Sequence, residues 1–369
     1  MNRRTFLQGS LAGLAPVVAA GQAGAEPIRT GMIGTGLRGL HTLGGVLKQP
    51  NVKLVALCDL KPDRLDKAAT LTARDSPNTY TDYRKLLERK DLDAVFIDTP
   101  CYLHSEMAVA ALQAGKHVYC EKPVGITPKQ VQDVLNAARA TKKVYQVGQQ
   151  MRSFRWLAEA IQKLRDGVAG DVVMVKAQRH APWDLDHDGS SADWFFDSKR
   201  SGDVIVEMAV HNLDLCNWAI GSRPAKAAGF GGALVWKNDP PGRTNMDGYT
   251  LSYEYQNGVK MSFTQNFFHP SGLPAGGQYT NVYGTKGAVS LDNGKFYPLE
   301  RGRQPVLLSA PEREDDLPHF AAFFNAIRSG SAVPADISIG ATAALTAILG
   351  REAIYSGKLM TWEDLGVQV

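Results

Sequence analysis

Two different patterns of hydrophobic and polar positions divide the chain at about residue 150. Before that point, short and nearly continuous apolar segments alternate with amphipathic helical segments. Strands that are buried on both faces of a parallel sheet have such continuous apolar sequences. Strands are predicted at 28–33, 52–58, 93–98, 117–120 and 144–147, and helices at 62–72, 103–114 and 127–141. Residues 26–150 are therefore predicted to form a doubly wound α/β domain, whose ligand should lie beyond the carboxyl ends of the strands.

Residues 151–369 follow a different pattern, with longer strands in which apolar and polar positions alternate. Strands are predicted at 171–180, 225–235, 250–255, 259–267, 278–283 and 288–291, and helices at 154–166, 204–218, 317–329 and 339–356. The pair Asn257-Gly258 between two of these strands is typical of a β-hairpin turn. This half is predicted to be an α+β domain with an open, mainly antiparallel sheet and helices on one face. The other face would be free for a partner subunit, so a homodimer or homotetramer through this sheet is expected.

The first 25 residues have the composition of an export signal. Arg3 and Arg4 precede a short apolar segment rich in Gly and Ala, and Ala23-Gly24-Ala25 is typical of a signal-peptide cleavage site. The arginine pair followed by Thr-Phe-Leu indicates a twin-arginine signal; the alternatives are an ordinary secretory signal and a disordered tail. The apolar segment is too short to span a bilayer. We therefore expect a periplasmic or secreted protein without stable membrane anchoring.

Composition and charge exclude some partners. The chain of 369 residues is 44% hydrophobic and 21% charged, and its net charge is +4. It contains no basic tract with interleaved aromatic residues, which argues against nucleic acid as a partner. The four cysteines form no C-x-x-C pair and are predicted to be free thiols. A loop that begins at Asp184 resembles the start of a calcium-binding loop, but its twelfth position is Phe195 instead of Glu, so no metal is expected.

A glycine-rich turn joins the first predicted strand to a helix. It consists of Gly34, Thr35, Gly36, Leu37, Arg38 and Gly39, which is a G-x-G-x-x-G pattern. In such a turn the first glycine allows the tight bend, the second lets a pyrophosphate approach the backbone, and the third lets the helix pack closely. The free N–H groups at the helix N-terminus favour phosphate. The pattern predicts a dinucleotide site in a Rossmann domain, and the competing interpretation is a glycine-rich surface turn.

The residue at the end of the second predicted strand bears on the choice of nucleotide. Asp59 stands where a carboxylate can accept hydrogen bonds from both hydroxyl groups of a ribose. Its charge would repel a 2′-phosphate, so NAD is expected in preference to NADP, although Lys61 or Arg64 could weaken this preference. Further candidates for cofactor binding are Thr99, Pro100, His104, Glu121, Lys122 and Gln149.

Two groups of residues could carry acid–base chemistry. Lys122 follows a predicted strand on the cofactor side, and a base must take the hydroxyl proton when hydride leaves an alcohol carbon. The alternative for Lys122 is a simple ion pair with Glu121. Glu207 and His211 are four residues apart in a predicted helix, so the carboxylate could orient the imidazole, although a histidine on an apolar helix is often a core residue. Candidates for substrate binding are Arg152, Trp183, Trp194 and Asn212.

Several motifs taken together resemble the Gfo/Idh/MocA family, which includes glucose–fructose oxidoreductase and inositol dehydrogenase. They are the glycine turn, Thr99-Pro100 with His104, the run Ala114-Gly115-Lys116-His117-Val118 with Cys120-Glu121-Lys122-Pro123, and Gly202 with Glu207, His211 and Asp214. The resemblance covers nearly all of the chain after the signal. It implies that Lys122, Glu207 and His211 contact hydroxyl groups of the substrate. Glu207 stands where the family usually has Asp.

The resemblance implies an NAD(P)-dependent oxidoreductase that acts on a hydroxyl group of a sugar, a sugar derivative or a polyol, with Lys122 and His211 as acid and base. The alternative is an NAD-dependent glycosidase, in which transient oxidation of a ring hydroxyl permits elimination and the hydride is then returned. A tightly held cofactor would suit an exported enzyme. A third hypothesis, a cofactor-bound sugar sensor without activity, is disfavoured by the presence of both Lys122 and His211.

Overall fold

The computed structural model describes residues 26–181, 192–273, 276–312 and 318–369. The strands are β1 (Ile28–Ile33), β2 (Val52–Cys58), β3 (Asn78–Tyr80), β4 (Ala94–Ile97), β5 (His117–Cys120), β6 (Tyr145–Val147), β7 (Val172–His180), β8 (Pro224–Gly232), β9 (Gly248–Tyr255), β10 (Lys260–Asn266), β11 (Gln278–Gly284), β12 (Gly287–Ser290), β13 (Lys295–Pro298), β14 (Val306–Leu307) and β15 (Met360–Thr361). The helices are α1 (Leu37–Val46), α2 (Pro62–Leu71), α3 (Tyr83–Leu87), α4 (His104–Gln113), α5 (Pro128–Arg139), α6 (Arg155–Arg165), α7 (Ala192–Phe195), α8 (Ser198–Ser201), α9 (Asp203–Glu207), α10 (Val210–Ile220), α11 (Pro318–Ser329) and α12 (Ile337–Ser356). The predicted export signal, Trp183 and the acidic loop from Asp184 lie outside the described residues.

The first half of the chain forms a six-stranded sheet in which every neighbouring pair of strands is parallel. The strand order is β3-β2-β1-β4-β5-β6. The residues of β1, β2 and β4 are mostly buried, as their apolar sequences predicted. The direction of winding reverses between β1 and β4, and a crevice opens beyond the carboxyl ends of these two strands. This order confirms the predicted Rossmann fold.

A helix from near the end of the chain completes the core of this first domain. Phe320, Phe323 and Phe324 of α11 are fully buried and pack against Phe96 of β4, with ring centroids 5.3–5.8 Å apart. Aromatic pairs at such distances stabilise a core beyond their buried area. The prediction of two consecutive domains did not include this return of the chain, because a helical pattern does not state which sheet the helix will cover.

The second half of the chain contains a nine-stranded sheet with the order β14-β13-β12-β11-β7-β10-β9-β8-β15. Neighbours are antiparallel except for β7 and β10, which are parallel. Strands β9 and β10 form the predicted hairpin, with Gly258 in the left-handed conformation at φ +85°. Alternate residues of β9 and β10 are buried, and helices α10 and α12 pack on the sheet. The predicted α+β architecture with a mainly antiparallel sheet is confirmed.

Helix α12 is long and apolar enough to cross a membrane by length and composition alone. However, 67% of its most apolar 18-residue window is buried inside the protein. It packs against α5 of the first domain and against α10 and β8 of the second. Its Arg351 donates hydrogen bonds to the carbonyl oxygens of Ile126 and Gly202. These contacts make α12 a core helix that connects the two domains.

The helix predicted over 204–218 is two helices in the structure. Helix α9 ends at Glu207 and α10 begins at Val210. The N–H groups of the two residues between them both donate to the carbonyl oxygen of Val204, so the regular hydrogen-bond pattern stops there. The predicted pairing of Glu207 with His211 on one helical face is therefore wrong, and each side chain bonds to a different partner.

Candidate active site

A cleft of about 940 Å³ lies beyond the carboxyl ends of the parallel strands and extends to the second domain. The glycine turn and the ends of β2, β4 and β5 line it on one side, and α7, α9 and α10 contribute the other side. The predicted site residues that line it are Gly34, Gly36, Leu37, Arg38, Asp59, Thr99, Pro100, His104, Glu121, Lys122, Trp194, Glu207 and His211. The structure thus brings most of the residues predicted for the cofactor and for catalysis into one cleft.

The glycine turn has a conformation that excludes side chains at its first and third positions. Gly34 has a φ of +93°, and a Cβ atom there would lie 2.7 Å from the backbone of Asp98. A Cβ atom at Gly39 would collide with the carbonyl oxygen of Gly34, so only glycine lets α1 pack this closely. Next to Gly36 stands the guanidinium of Arg64, whose Nη1 would be 3.3 Å from an added Cβ. This is the backbone shape that a dinucleotide requires.

The first turn of α1 presents backbone N–H groups to the cleft. Gly36 is its N-cap, and no side chain caps the helix there. Asp59 accepts hydrogen bonds from the backbone N–H (2.8 Å) and the hydroxyl (3.2 Å) of Thr35 and from the N–H of Lys61 (3.0 Å). These residues fit a dinucleotide, because the helix N-terminus suits a pyrophosphate and a strand-end carboxylate suits a ribose.

An ion pair with a buried carboxylate lies between the glycine turn and the end of β5. Arg38 Nη2 is 2.5 Å from Glu121 Oε1, and Gln150 donates to the same oxygen at 3.0 Å. Burial acts to raise the pKa of Glu121, but the charge and hydrogen bond of Arg38, together with the charge of Lys122, outweigh it and the pKa is lowered. Glu121 is therefore ionised and bound to Arg38. The alternative prediction, an ion pair between Glu121 and Lys122, is wrong.

A buried acid lies directly beneath the glycine turn. Asp98 Oδ1 accepts a hydrogen bond of 2.6 Å from the hydroxyl of Thr42. Within the described part of the chain, Asp98 Oδ2 is buried without a hydrogen-bond partner. Burial, and after it the negative charge of Glu121, raise the pKa of Asp98 to about 7. The carboxyl group is therefore mostly protonated in mildly acidic solution.

An ion pair between Lys122 and Glu207 joins the two domains across the cleft. Lys122 Nζ lies 2.7 Å from Glu207 Oε1 and 2.6 Å from the backbone oxygen of the same residue. The two side chains are only 15% and 16% exposed. The Lys122–Pro123 peptide bond is cis. Because Lys122 follows β5 and Glu207 ends α9, the ammonium group is held at a defined point of the cleft.

His211 stands in the first turn of α10 and lines the cleft. Its Nδ1 is 3.0 Å from Oε1 of Gln149, so a proton on Nδ1 is donated to this amide oxygen and Nε2 keeps a lone pair. Burial, and after it the positive charges of Lys122 and Arg179, lower the pKa of His211 well below its usual value. The imidazole is therefore neutral near pH 7 and can accept a proton at Nε2.

His104 connects two backbone segments of the cleft wall. Its Nε2 is 2.7 Å from the carbonyl oxygen of Thr99, and its Nδ1 is 2.8 Å from that of Pro123. The ring is only 1% exposed. His104 thus positions the peptide that follows Lys122 relative to the rim of the parallel sheet.

The residues predicted to bind the substrate are placed differently from one another. Trp194 lines the cleft, whereas Trp183 lies outside the described residues. Arg152 donates two hydrogen bonds of 2.8 Å to the carboxylate of Asp214. The two side chains are only 11% and 3% exposed, so Arg152 and Asp214 neutralise each other's charge inside the protein. Asn212 is fully buried next to His211.

Arg179, which lies near His211, was not predicted from the sequence as a site residue. Arg179 lies near the end of β7, and its Nη1 donates to Oδ1 of Asn212 at 3.2 Å. One arginine in an alternating strand carries no local signal of function, and only the packing of β7 on α10 brings it to this place. Other cleft residues that were not predicted include Tyr102, Phe196, Arg200 and Met208.

Two family models match the chain. The oxidoreductase family with an NAD-binding Rossmann fold matches residues 28–149, and the GFO/IDH/MocA C-terminal domain matches residues 157–290. The chain belongs to the Gfo/Idh/MocA oxidoreductase family. The resemblance stated from the motifs is therefore confirmed, and the family description agrees with a nicotinamide dinucleotide at the glycine turn.

Relatives that resemble the chain in sequence are named for different activities. The chain is 36% identical over 190 residues to a glycosyl hydrolase family 109 protein of Stenotrophomonas maltophilia, covering 48% of the chain and 42% of that relative. It is 30% identical over 203 residues to the inositol 2-dehydrogenase/D-chiro-inositol 3-dehydrogenase of Lactiplantibacillus plantarum, covering 54% of each. It is 24% identical over 290 residues to the 2,7-anhydro-N-acetylneuraminate hydratase of Mediterraneibacter gnavus, covering 77% of the chain and 73% of that protein. The first two matches thus span about half of each relative's length.

Solved structures of other proteins share the fold of this chain. An oxidoreductase domain protein from Kribbella flavida has a TM-score of 0.79 with this chain at 23% identity, covering 91% of the chain and 99% of that protein. A likeness at this identity supports the fold and not a particular substrate.

Proposed function

We propose that this protein moves hydride between a hydroxyl-bearing carbon of a sugar, sugar derivative or polyol and a nicotinamide dinucleotide. The observation that carries the proposal is the placement of Lys122, Glu207 and His211 in one cleft with the glycine turn. When bound, the dinucleotide accepts and returns hydride. The similarity to an inositol dehydrogenase supports a substrate with several hydroxyl groups.

In this proposal His211 is the proton acceptor. Its imidazole is neutral, Gln149 holds the proton of Nδ1, and Nε2 would take the proton of the substrate hydroxyl. Lys122 donates two N–H groups to Glu207, one to Oε1 and one to the backbone oxygen, and its third N–H can bind the substrate oxygen. A fixed ammonium group would stabilise the negative charge that develops on this oxygen. Glu207 balances the charge of Lys122 and sets its position.

NAD is the expected nucleotide. Asp59 borders the cleft with a negative charge that opposes a 2′-phosphate, whereas Arg64 and Lys61 lie close enough to favour one. Denaturing the purified protein and identifying the released nucleotide by chromatography and mass spectrometry tests both the cofactor and its type. Release of NAD is expected. Release of NADP would contradict the role given to Asp59, and a protein that neither carries nor binds either nucleotide would contradict the proposed function.

A second candidate function is the cleavage of a glycosidic bond without net oxidation. It is favoured by the 36% identity over 190 residues to a glycosyl hydrolase family 109 protein. Oxidation of a ring hydroxyl to a ketone acidifies the neighbouring C–H bond. A base can then remove this proton while the aglycone leaves, and water addition and return of the hydride complete the cycle. His211 and Lys122 could serve these proton transfers as well as those of a dehydrogenase.

The two functions differ in what accumulates. Purified protein with aryl glycosides and no added NAD should release the aglycone if it is a glycosidase. With free sugars or polyols and added NAD, a dehydrogenase should instead accumulate NADH, which absorbs near 340 nm. Absence of both products across a broad panel, in protein that holds the nucleotide, would contradict both and leave the sensor hypothesis.

We also expect export by the twin-arginine route, since this route carries folded proteins and would deliver the cofactor with the enzyme. The support is the sequence of residues 1–25. Replacing both Arg3 and Arg4 with Lys should retain the protein in the cytoplasm, as measured by cell fractionation. Unchanged export of this double variant would contradict the twin-arginine assignment.

The face of the nine-stranded sheet opposite α10 and α12, which no described element covers, supports association into a homodimer or homotetramer. This face carries exposed apolar side chains, among them Met174 (50% exposed), Phe230 (82%) and Tyr283 (38%). Apolar groups on one broad face are typical of subunit contacts. Light scattering after size-exclusion chromatography should show an oligomer, and Phe230→Glu should weaken it. A monomer at micromolar concentration would contradict this expectation.

A further inference from the structure

Arg179 has a position that is unusual for a charged side chain. It lies on the same face of β7 as Val175 and Ala177, which are buried beneath the helices. Its hydrogen bond to Asn212 places the guanidinium next to His211. Among the described residues, no carboxylate oxygen lies within 4.0 Å of its nitrogen atoms. Arg179 therefore places a positive charge without a bonded carboxylate behind His211, which lines the cleft.

Three neighbouring cations are neutralised by carboxylates. The pairs are Arg38 with Glu121, Lys122 with Glu207, and Arg152 with Asp214. Glu207 also attracts Arg179 from a distance, but its carboxylate oxygen is bonded to Lys122. His211 adds no charge, because its pKa is lowered well below neutral. A half-buried guanidinium without a counter-ion is typical of a site that receives an anion.

Three buried carboxamide groups near Arg179 have N–H donors without a described acceptor. They are Nε2 of Gln149, Nδ2 of Asn212 and Nε2 of Gln265, on side chains that are at most 3% exposed. The oxygen of each amide is engaged, by His211, Arg179 and Tyr249 respectively. Gln265 pairs in register with Arg179 on the neighbouring strand, and Gln149 and Asn212 flank His211. Buried donors of this kind normally have an acceptor.

We propose that Arg179 and these amide groups form a subsite for a carboxylate of the substrate, so that the substrate class is an acidic sugar such as a uronic acid. The inference rests on the proposed function and specifies its substrate. A carboxylate is planar, carries one negative charge and accepts about four hydrogen bonds, which suits a guanidinium and adjacent amide N–H groups. A neutral hydroxyl would satisfy one of the donors and leave the charge of Arg179 unmatched.

The test compares acidic and neutral sugars of the same configuration. The mature protein loaded with its nucleotide is titrated with glucuronate and glucose, galacturonate and galactose, and mannuronate and mannose, using calorimetry. The variants are Arg179→Gln, which keeps the length but removes the charge, and Arg303→Gln at an exposed arginine as the matched control. Arg179→Lys is added because it keeps the charge if the Gln variant fails to fold, which circular dichroism will show.

We expect the acid of at least one pair to bind about 10- to 100-fold more tightly than its neutral partner. Arg179→Gln should remove this preference while changing neutral-sugar affinity less than about 3-fold, Arg179→Lys should retain part of it, and Arg303→Gln all of it. Raising the salt concentration should weaken uronate binding to the wild type and to Arg303→Gln, and should have little effect on Arg179→Gln. Equal affinity for acids and neutral sugars, or an unchanged preference in Arg179→Gln, would overturn the subsite.

The calorimetric result does not depend on turnover, so the two proposals can fail separately. Hydride transfer on neutral sugars without an acid preference would retain the proposed function and refute the carboxylate subsite. A preference for uronates that depends on Arg179, in a protein that never produces NADH or aglycone, would retain the subsite and refute the proposed function.

Discussion

One end of the cleft is formed mainly by backbone groups and the other end by side chains. The cofactor end consists mainly of backbone: a turn closed by Gly34 and Gly39, the uncapped start of α1, and one strand-end carboxylate at Asp59. The substrate end consists of side chains, such as Lys122 and His211, which bond to partners far away in sequence. The shape of the cofactor end therefore depends on the free space around a few main-chain atoms. The shape of the substrate end depends on how the two domains pack against each other.

This difference decides what each end can tolerate and what it can specify. A binding site made of backbone groups suits the part that all nicotinamide dinucleotides share. A single added methyl group is enough to disrupt such a site. A set of side chains can be exchanged one at a time, and the relatives of this chain carry names of different activities. Changes at the cofactor end should abolish binding of the nucleotide, whereas changes at the substrate end should alter turnover or substrate choice.

The largest effect is expected from Lys122→Met at the substrate end. The substitution keeps the side-chain length but removes the ammonium group that Glu207 holds in the cleft, so turnover should fall about 10²- to 10⁴-fold. The bound nucleotide should remain, as measured by release after denaturation. Lys129→Met, at an exposed lysine on α5, is the matched control and should leave turnover unchanged. Turnover of the Lys122 variant within about threefold of the wild type would remove Lys122 from the chemistry.

The next largest effect is expected at Asp98, the buried acid beneath the glycine turn, and concerns how the stability of the protein depends on pH. The carboxyl of Asp98 has a pKa of about 7 in the folded state, whereas its ordinary value is 3.8, so between these values the folded state holds a proton that the unfolded state has lost. The stability contributed by this group is therefore present at low pH and falls as the pH rises toward 7. Asp98→Asn cannot lose a proton, and its advantage over the wild type should grow by on the order of 2–4 kcal/mol between pH 4.5 and 8.

Urea unfolding of both proteins at three pH values measures this difference. Contributions from other titrating groups, such as His319 with a pKa of about 4, are common to both proteins and cancel. Asp133→Asn, at a partly exposed carboxylate on α5, should show a nearly constant difference from the wild type. A constant difference for Asp98→Asn as well would contradict the raised pKa.

A smaller effect on stability, with a sharp effect on binding, is expected at the turn. Gly39→Ala places a methyl group against the carbonyl oxygen of Gly34 and should destabilise the protein by about 1–3 kcal/mol. It should also prevent nucleotide retention. Gly44→Ala in the same helix has no atom within 4 Å of the added group, so it should be neutral or stabilising by up to about 1 kcal/mol. If both variants keep the nucleotide and melt alike, the close approach of α1 to the turn is not needed.

The smallest effect is expected at Asp59, the carboxylate that is expected to bind the ribose. Asp59→Asn keeps an oxygen that can accept from the N–H of Thr35 but removes the negative charge. The ratio of NAD to NADP affinity should fall about 10-fold, or about 1.4 kcal/mol, in direct titrations of nucleotide-free protein. An unchanged ratio would assign nucleotide choice to other residues, with Arg64 as the first to replace because it stands beside Gly36.

The architecture and the cofactor end were predictable because their signals are local. Continuous apolar strands, the spacing of Gly34, Gly36 and Gly39, and the strand-end Asp59 lie within short stretches of sequence, and each has one dominant physical interpretation. Even here the sequence missed the packing of α11 on the first sheet, since its phenylalanines show that a face is buried without showing against what.

The chain alone determined which elements form and where a dinucleotide can bind, because hydrogen bonding and backbone sterics act between near neighbours. Only the tertiary structure decided the pairs at the substrate end: Glu207 binds Lys122 instead of His211, and Asp214 takes the charge of Arg152 while Arg179 has no such partner within reach in the described chain. A buried charge selects whichever opposite charge the packing brings nearest, and that distance is set by two domains folding together.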